Sequence, residues 1–309
     1  MASTSRDEAV DDAEIRERVA ALSDRYTDCD LCAHQCGVDR TAGEIGACQV
    51  DETVRISSYG PHHGEEPPLR GTHGSGTIFL AHCNLACVFC QNFDISQHGR
   101  GARAVTAEEL ADIALGLQEQ GCHNVNFVTP THHAPTLAEA VLDARDRGLE
   151  IPIVWNCGGY ESAAVIERLE GIVDVYMPDI KWGDNQAARK FSKAPAYWDA
   201  VRPALEEMHR QVGDLTLDAD GVATSGLLVR HLVMPEHVQN SKRVVEFVAD
   251  LSTETYLNIM AQYRPANKVG QHGRYEELNR RITREEYQEV VSHARELGLS
   301  RLEVDPPLR

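Results

Sequence analysis

The chain is 309 residues long, with 42% hydrophobic residues and a formal net charge of −18. That length and apolar content support a sizeable core, and the acidity argues against nonspecific binding to nucleic acid or anionic membranes. The apolar runs are short and broken by charge, so no membrane span is expected, and the acidic start MASTSRDEAVDDAEIRERV does not read as a signal peptide. Nine cysteines in C-x2-C and C-x3-C groupings point to metal ligation in a reducing, cytoplasmic compartment rather than to disulfides. Lys181, Lys190, Lys193, Lys242 and Lys268 are the only lysines, so arginine supplies the rest of the 30 basic residues. This composition fits either a high-salt cytosol or a GC-rich genome.

Residues 1–24 form an acidic lead-in, with Ile15, Val19 and Leu22 at helical spacing. The stretch CDLCAHQCGVDRTAGEIGAC follows, placing Cys29, Cys32, Cys36 and Cys48 within twenty residues, with Gly37, Gly43 and Gly46 for tight turns. Four such thiols suit a closed site for zinc or for an iron–sulfur cluster; zinc would staple a segment with little core, and a cluster could relay electrons. His34 lies among them and reads as a loop residue. Val54, Arg55 and Ile56 suggest a short strand, and the turn-rich SYGPHHGEEPPLRGTHGSG reads as loop near a cleft, with His62, His63 and His73.

An apolar strand at residues 78–81 then runs into Cys83, Cys87 and Cys90, spaced C-x3-C-x2-C with Phe89 before the last. Three thiolates on one loop can hold a cluster that lacks a fourth protein ligand, although a zinc loop completed from elsewhere shares the same donors. Beyond this loop, strands and helices alternate. Helices are expected at 106–120, with the capping box Thr106–Glu109, then one with Leu137, Ala140, Val141 and Ala144 on one face that stops at Gly148, and at 161–170, 184–212 with a kink near Pro203, and 240–251. A last helix opens on the capping box Thr283–Glu286. Strands are expected at 124–128, 151–155, 172–176, 227–233 and 255–259, and Asp220-Gly221 signals a hairpin turn. Six strands linked by helices imply a parallel sheet.

Polar residues recur just after these strands. They are Thr129 to His133, Asn156, Asp179 and Lys181, Arg230 and His231, and Asn258 with Gln262. Barrels place their chemistry at the carboxyl ends of strands, so this recurrence outlines a mouth for a polar cofactor. Cys122 and Cys157 read as buried small residues.

From Cys29 onward the chain resembles the radical S-adenosylmethionine (SAM) superfamily, in its pyruvate formate-lyase-activating-enzyme-like branch with an extra N-terminal cysteine segment. The resemblance rests on CDLCAHQCGVDR, GSGTIFLAHCNLACVFCQNFDIS, NFVTPTHH, VWNCGGYES, VDVYMPDIKW, EMHRQVGD, GLLVRHLVMP and NIMAQYRP. It implies an α/β fold, a partial (β/α)6 TIM-like barrel over residues 61–309, preceded by a small cysteine-rich segment within residues 1–60. It implies a [4Fe-4S] cluster on Cys83, Cys87 and Cys90. SAM would bind the open iron, with Thr131, Asn156, Asp179, Lys181, Arg230 and His231 as candidate contacts. Reductive cleavage of SAM would give a 5′-deoxyadenosyl radical for hydrogen abstraction, from a protein glycine or from a small molecule or another protein. Ferredoxin or flavodoxin would donate the electron. Relatives carry a Gly-Gly-Glu stretch where this chain reads Thr129-Pro130-Thr131-His132, so the acidic contact to the SAM amino group is missing there. A metal-stabilised redox sensor without SAM turnover is the alternative from another class.

Overall fold

The computed structural model describes residues 11–305. Residues 1–10 of the expected lead-in and residues 306–309 of the expected barrel domain lie outside the described residues. The strands are β1 (Arg55–His62), β2 (Ser75–Leu80), β3 (Arg103–Ala104), β4 (Val125–Val128), β5 (Ile153–Cys157), β6 (Val175–Pro178), β7 (Thr216–Leu217), β8 (Ala223–Leu232), β9 (Tyr256–Met260) and β10 (Leu302–Val304). The helices are α1 (Asp12–Ser23), α2 (Pro67–Arg70), α3 (Phe93–Ser96), α4 (Ala107–Glu119), α5 (Ala134–Asp146), α6 (Ala163–Arg168), α7 (Asn185–Ser192), α8 (Tyr197–Val212), α9 (Val238–Leu251) and α10 (Arg284–Glu296).

The sheet runs β10-β9-β8-β6-β5-β4-β2-β1-β3, with β7 paired to β8. From β2 through β10 the main path is parallel, while β1 joins β2 and β3 joins β1 in antiparallel register. This is the parallel sheet expected from strand–helix alternation, because a parallel neighbour requires a crossover and the helices supply it, and it agrees with the α/β partial barrel that the resemblance implied. All six expected strands are present. The structure adds the short parallel edge strand β10 and extends the expected 54–56 strand to the eight residues of β1.

Local signals explain most helix limits. Thr106 and Thr283 each accept from the amide three residues on, and Glu109 and Glu286 close the reciprocal bond. The expected single helix over 184–212 is two helices. Asp184 caps α7, Lys193 ends it in the left-handed region at φ 59°, and α8 starts at Tyr197 with Pro203 inside it. Ile15, Val19 and Leu22 are buried as their spacing requires, and α1 packs against α5 and α6. The N-terminal segment is therefore anchored on the outside of the barrel.

Candidate active site

The loop after β2 turns sharply. His82 adopts φ 67°, and the following residues are stitched to the end of α7, with the Ala86 amide donating to Ser192 O (3.0 Å) and the Val88 amide to Phe191 O (2.8 Å). A second seam holds the other side: Gln97 Nε2 and Asn267 Nδ2 both donate to Cys87 O, at 2.9 and 3.1 Å. Phe89 is buried with its ring edge-on to Trp182 and Tyr263. The sequence position of Phe89 thus has a packing reason: it pins the short turn between the second and third cysteines.

Cys83, Cys87 and Cys90 all border one cavity of about 380 Å³. Polar groups reach each sulfur. The Leu85 amide donates to Cys83 Sγ (3.3 Å), Cys87 Sγ meets Ser192 Oγ (3.1 Å), and Cys90 Sγ meets Ser96 Oγ (3.2 Å). Burial pushes the Cys87 thiol up to about 11, against the pull of nearby Lys181. Such a thiol ionises when a metal takes its proton's place.

The same cavity is bordered by a charged network built at the ends of β5, β6 and β8. Asp179 accepts from Lys181 Nζ (2.9 Å) and from Arg230 Nε (2.8 Å). Arg230 Nη2 donates to Asn156 Oδ1 (2.8 Å), while Nη1 faces Glu65 (3.5 Å) and Glu66 (3.4 Å). Burial disfavours the Asp179 carboxylate, yet Arg230 and Lys181 outweigh it and hold the group near 2. Glu65 is displaced the other way: burial raises it, Arg230 opposes, and neighbouring Glu66 adds to the rise.

Glu65 and Glu66 are functional-site residues that the sequence reading missed. They come from the turn-rich segment before α2, whose Pro67 and Pro68 fix the turn that aims them into the barrel. Asn126 on β4 donates to Glu65, and Asn258 on β9 donates to Glu66 (3.2 Å). The adjacent Glu-Glu-Pro-Pro was the only signal, and it carries no periodicity. His62 also borders the cavity, with its ring edge-on to Phe79.

Of the candidate SAM contacts, Asn156, Asp179, Lys181 and Arg230 line the cavity. Thr131 and His231 do not. Thr131 is buried and donates to Glu161 Oε1 (2.8 Å), and His231 points into the helix layer, to Ile180 O (2.6 Å) and Ser241 Oγ (2.8 Å). His231 follows Arg230 on one strand, and successive side chains point to opposite faces, so only one of the two can look inward. Thr129 is the residue of its stretch that reaches the cavity, from a left-handed conformation at φ 62° that is uncommon for a β-branched residue. His132 and His133 are turned inward and fully buried; His132 Nε2 meets Ala81 O at 3.0 Å. Cys157 borders the cavity as well, and burial, with Glu161 nearby, pushes its thiol well up.

The N-terminal cysteines also come together. The Cys29 amide donates to Val38 O and the Gly37 amide to Cys29 O, both at 3.0 Å, which sets Cys29 beside Cys36. The Ala47 amide donates to Cys36 Sγ (3.4 Å), bringing in the arm that carries Cys48. His34 is not a spare ligand: its Nε2 meets Asn84 O at 2.8 Å and its ring stands edge-on to Tyr160. All nine cysteines are free thiols. Among the described residues no three His, Cys, Asp or Glu side chains converge on a point that one ion could fill.

The donor set at Cys83, Cys87 and Cys90 fits an iron–sulfur cluster. Three soft thiols from one loop border one cavity, and each can serve a different iron. The radical SAM superfamily profile matches residues 77–222, and this chain belongs to that superfamily. An uncharacterised protein of Methanocaldococcus jannaschii is 31% identical over 91% of this chain and 78% of its own length. A second uncharacterised protein of that organism is 24% identical, over 80% and 74% of the two chains. Among solved structures, the FeFe-hydrogenase maturase HydG from Carboxydothermus hydrogenoformans superposes with a TM-score of 0.50 at 14% identity. That match covers 72% of this chain, which spans half of the HydG chain, and it shows the shared fold. No helix among the described residues is long and apolar enough to cross a membrane.

Proposed function

We propose that the protein is a SAM-cleaving enzyme that abstracts a hydrogen atom from its substrate, in the manner of activating enzymes. The observation that carries this reading is the shared cavity, bordered both by the three cluster-type thiols and by Asn156, Asp179, Lys181 and Arg230. A cluster held by Cys83, Cys87 and Cys90 and a bound SAM would together supply one-electron cleavage of the sulfonium to methionine and a hydrogen-abstracting 5′-deoxyadenosyl radical.

The chain's own residues bind, orient and exclude water. Lys181 offers a cationic partner to the methionyl carboxylate, and Arg230 adds a second positive charge at the cavity. Both are held by Asp179, so they present their donors from fixed positions. Thr129 and Asn156 offer neutral polar contacts to the cavity. Buried Leu85, Phe89 and Cys157 supply apolar wall, which limits solvent access to a reactive radical.

Two substrate readings follow. Hydrogen abstraction from a glycine of a partner protein is the activase-type reaction. Hydrogen abstraction from a small molecule is the second. Ferredoxin or flavodoxin is the proposed electron donor. Anaerobic reconstitution with iron and sulfide, followed by SAM and a reductant, tests the reading. 5′-Deoxyadenosine is the expected product, and its absence with a fully loaded cluster overturns the proposal.

A further inference from the structure

We propose that Cys29, Cys32, Cys36 and Cys48 hold a second iron–sulfur cluster, through which electrons reach the cluster site at Cys83 by way of His34 and Asn84. This rests on the radical SAM reading of the barrel and adds an electron-entry site outside it.

The first argument is the shape of the thiol segment. The hairpin between Cys29 and Val38 is closed by two backbone hydrogen bonds, and the Gln35 amide returns to Cys32 O (3.0 Å). These turns need left-handed residues, supplied by Gln35 (φ 46°) and Gly37 (φ 62°). The second arm passes so close that a Cβ on Gly46 would stand 2.8 Å from Cys36 Sγ. Only glycine permits that approach, and it lets the Ala47 amide point at the sulfur. Cys29, Cys32 and Cys48 are buried, in a segment whose regular structure between α1 and β1 consists of short 3₁₀ turns.

The second argument is the chemistry of the donor set. Four thiolates suit zinc or an iron–sulfur cluster, but zinc undergoes no redox change, so of the two only a cluster can pass an electron toward Cys83.

The third argument is where the segment docks. Cys32 pairs backbone to backbone with Glu161, and Arg40 Nη1 donates to His132 O (2.6 Å) while standing 4.0 Å from Cys29 Sγ. His34, two residues past Cys32, meets Asn84 O at 2.8 Å. Asn84 is the neighbour of Cys83, and its own side chain donates to Tyr160 O (2.8 Å). One hydrogen bond therefore joins the two cysteine loops. Cys36 and residues 41–45 lie on the solvent side, where a protein donor can approach.

The electron balance is simple. A reduced one-electron carrier of the ferredoxin or flavodoxin class loses one electron to the N-terminal cluster. That cluster passes it on and returns to its oxidised state, while the cluster at Cys83, Cys87 and Cys90 is reduced. No bond forms or breaks in the relay.

The test uses the full chain, reconstituted anaerobically with iron and sulfide. In the variant Cys83→Ala/Cys87→Ala/Cys90→Ala we expect residual iron, sulfide and a reducible paramagnetic signal, all lost when Cys36→Ala is added. Wild-type protein should carry more iron than Cys36→Ala alone, which guards against a triple variant that fails to fold. Zinc in place of iron, or a triple variant that folds without iron, overturns the metal assignment. For the relay, His34→Ala should slow reduction of the Cys83-bound cluster by reduced ferredoxin severalfold and leave reduction by dithionite unchanged. Equal rates in wild type and variant with ferredoxin overturn the relay. If wild type with dithionite and SAM yields no deoxyadenosine, the function proposed above fails, whatever the triple variant holds.

Discussion

Arg230 Nε lies 2.8 Å from Asp179 Oδ1, at the ends of two neighbouring parallel strands, and the same guanidinium faces Glu65 and Glu66 from its other edge. One buried arginine thus joins the strand-end residues that the sequence pointed to with a pair of carboxylates from the segment between β1 and β2. Three carboxylates share two cations, Arg230 and Lys181, and the balance of that group governs the first two predictions.

Asp179 is held near 2, below its ordinary value of 3.8. A lowered carboxylate contributes stability above its unfolded value, and the contribution is lost as pH falls through the folded value; a shift of this size corresponds to roughly 2 kcal/mol. Asp179→Asn should therefore lower the unfolding free energy at pH 7 by about that amount. Its stability should also fall less steeply than wild type between about pH 4 and pH 2. Urea unfolding at a series of pH values checks both parts.

Arg230→Met should cost about 3–5 kcal/mol, because it strands the carboxylates it now pairs. Glu65→Gln in the same chain should recover part of that loss, with a coupling energy of roughly 0.5–3 kcal/mol. A double-mutant cycle by chemical denaturation reads the coupling. Simple additivity would mean that the 3.5 Å approach of Arg230 to Glu65 has no energetic weight.

Tyr197 Oη sits 2.8 Å from both Gly158 O and Asp179 O and accepts from the Lys181 amide (2.9 Å). Its single proton goes to one carbonyl at a time, and its oxygen fixes the turn that presents Asp179 and Lys181. Tyr197→Phe removes these bonds from a buried site and should cost about 1–3 kcal/mol. Thermal unfolding measures the loss. Iron content should stay at the wild-type level, because the cluster cysteines belong to another loop.

Cys83→Ser, Cys87→Ser and Cys90→Ser should each weaken or abolish cluster assembly and remove SAM-dependent deoxyadenosine formation. Cys122→Ser should do neither, since Cys122 is buried and does not border the cavity. Iron analysis and product chromatography on the four variants provide the comparison.

The local features were legible in the sequence for a common reason. Cluster cysteines three and four residues apart, capping boxes at Thr106 and Thr283, and the Asp220-Gly221 turn all depend on residues close along the chain. Strand–helix alternation likewise announces a parallel sheet, because the crossover requirement is a rule of connection. The split between α7 and α8 was missed because only Pro203 was read as a breaker; Pro195, two residues past the left-handed Lys193, is the stop signal that marks the end of α7.

Sequence alone settled which loop carries the three thiols and which strand ends carry polar side chains, since spacing and order are properties of neighbours. Tertiary structure decided which of those side chains look inward. Strand alternation sends Arg230 to the cavity and its neighbour His231 to the helix layer, and the turn at Thr129 leaves Thr131 bonded to Glu161. Tertiary structure also brought Glu65 against Arg230 and His34 against Asn84, across 165 and 50 residues of chain. Contacts between segments so distant depend on packing and solvent exclusion over the whole sheet, and no short stretch of sequence encodes them.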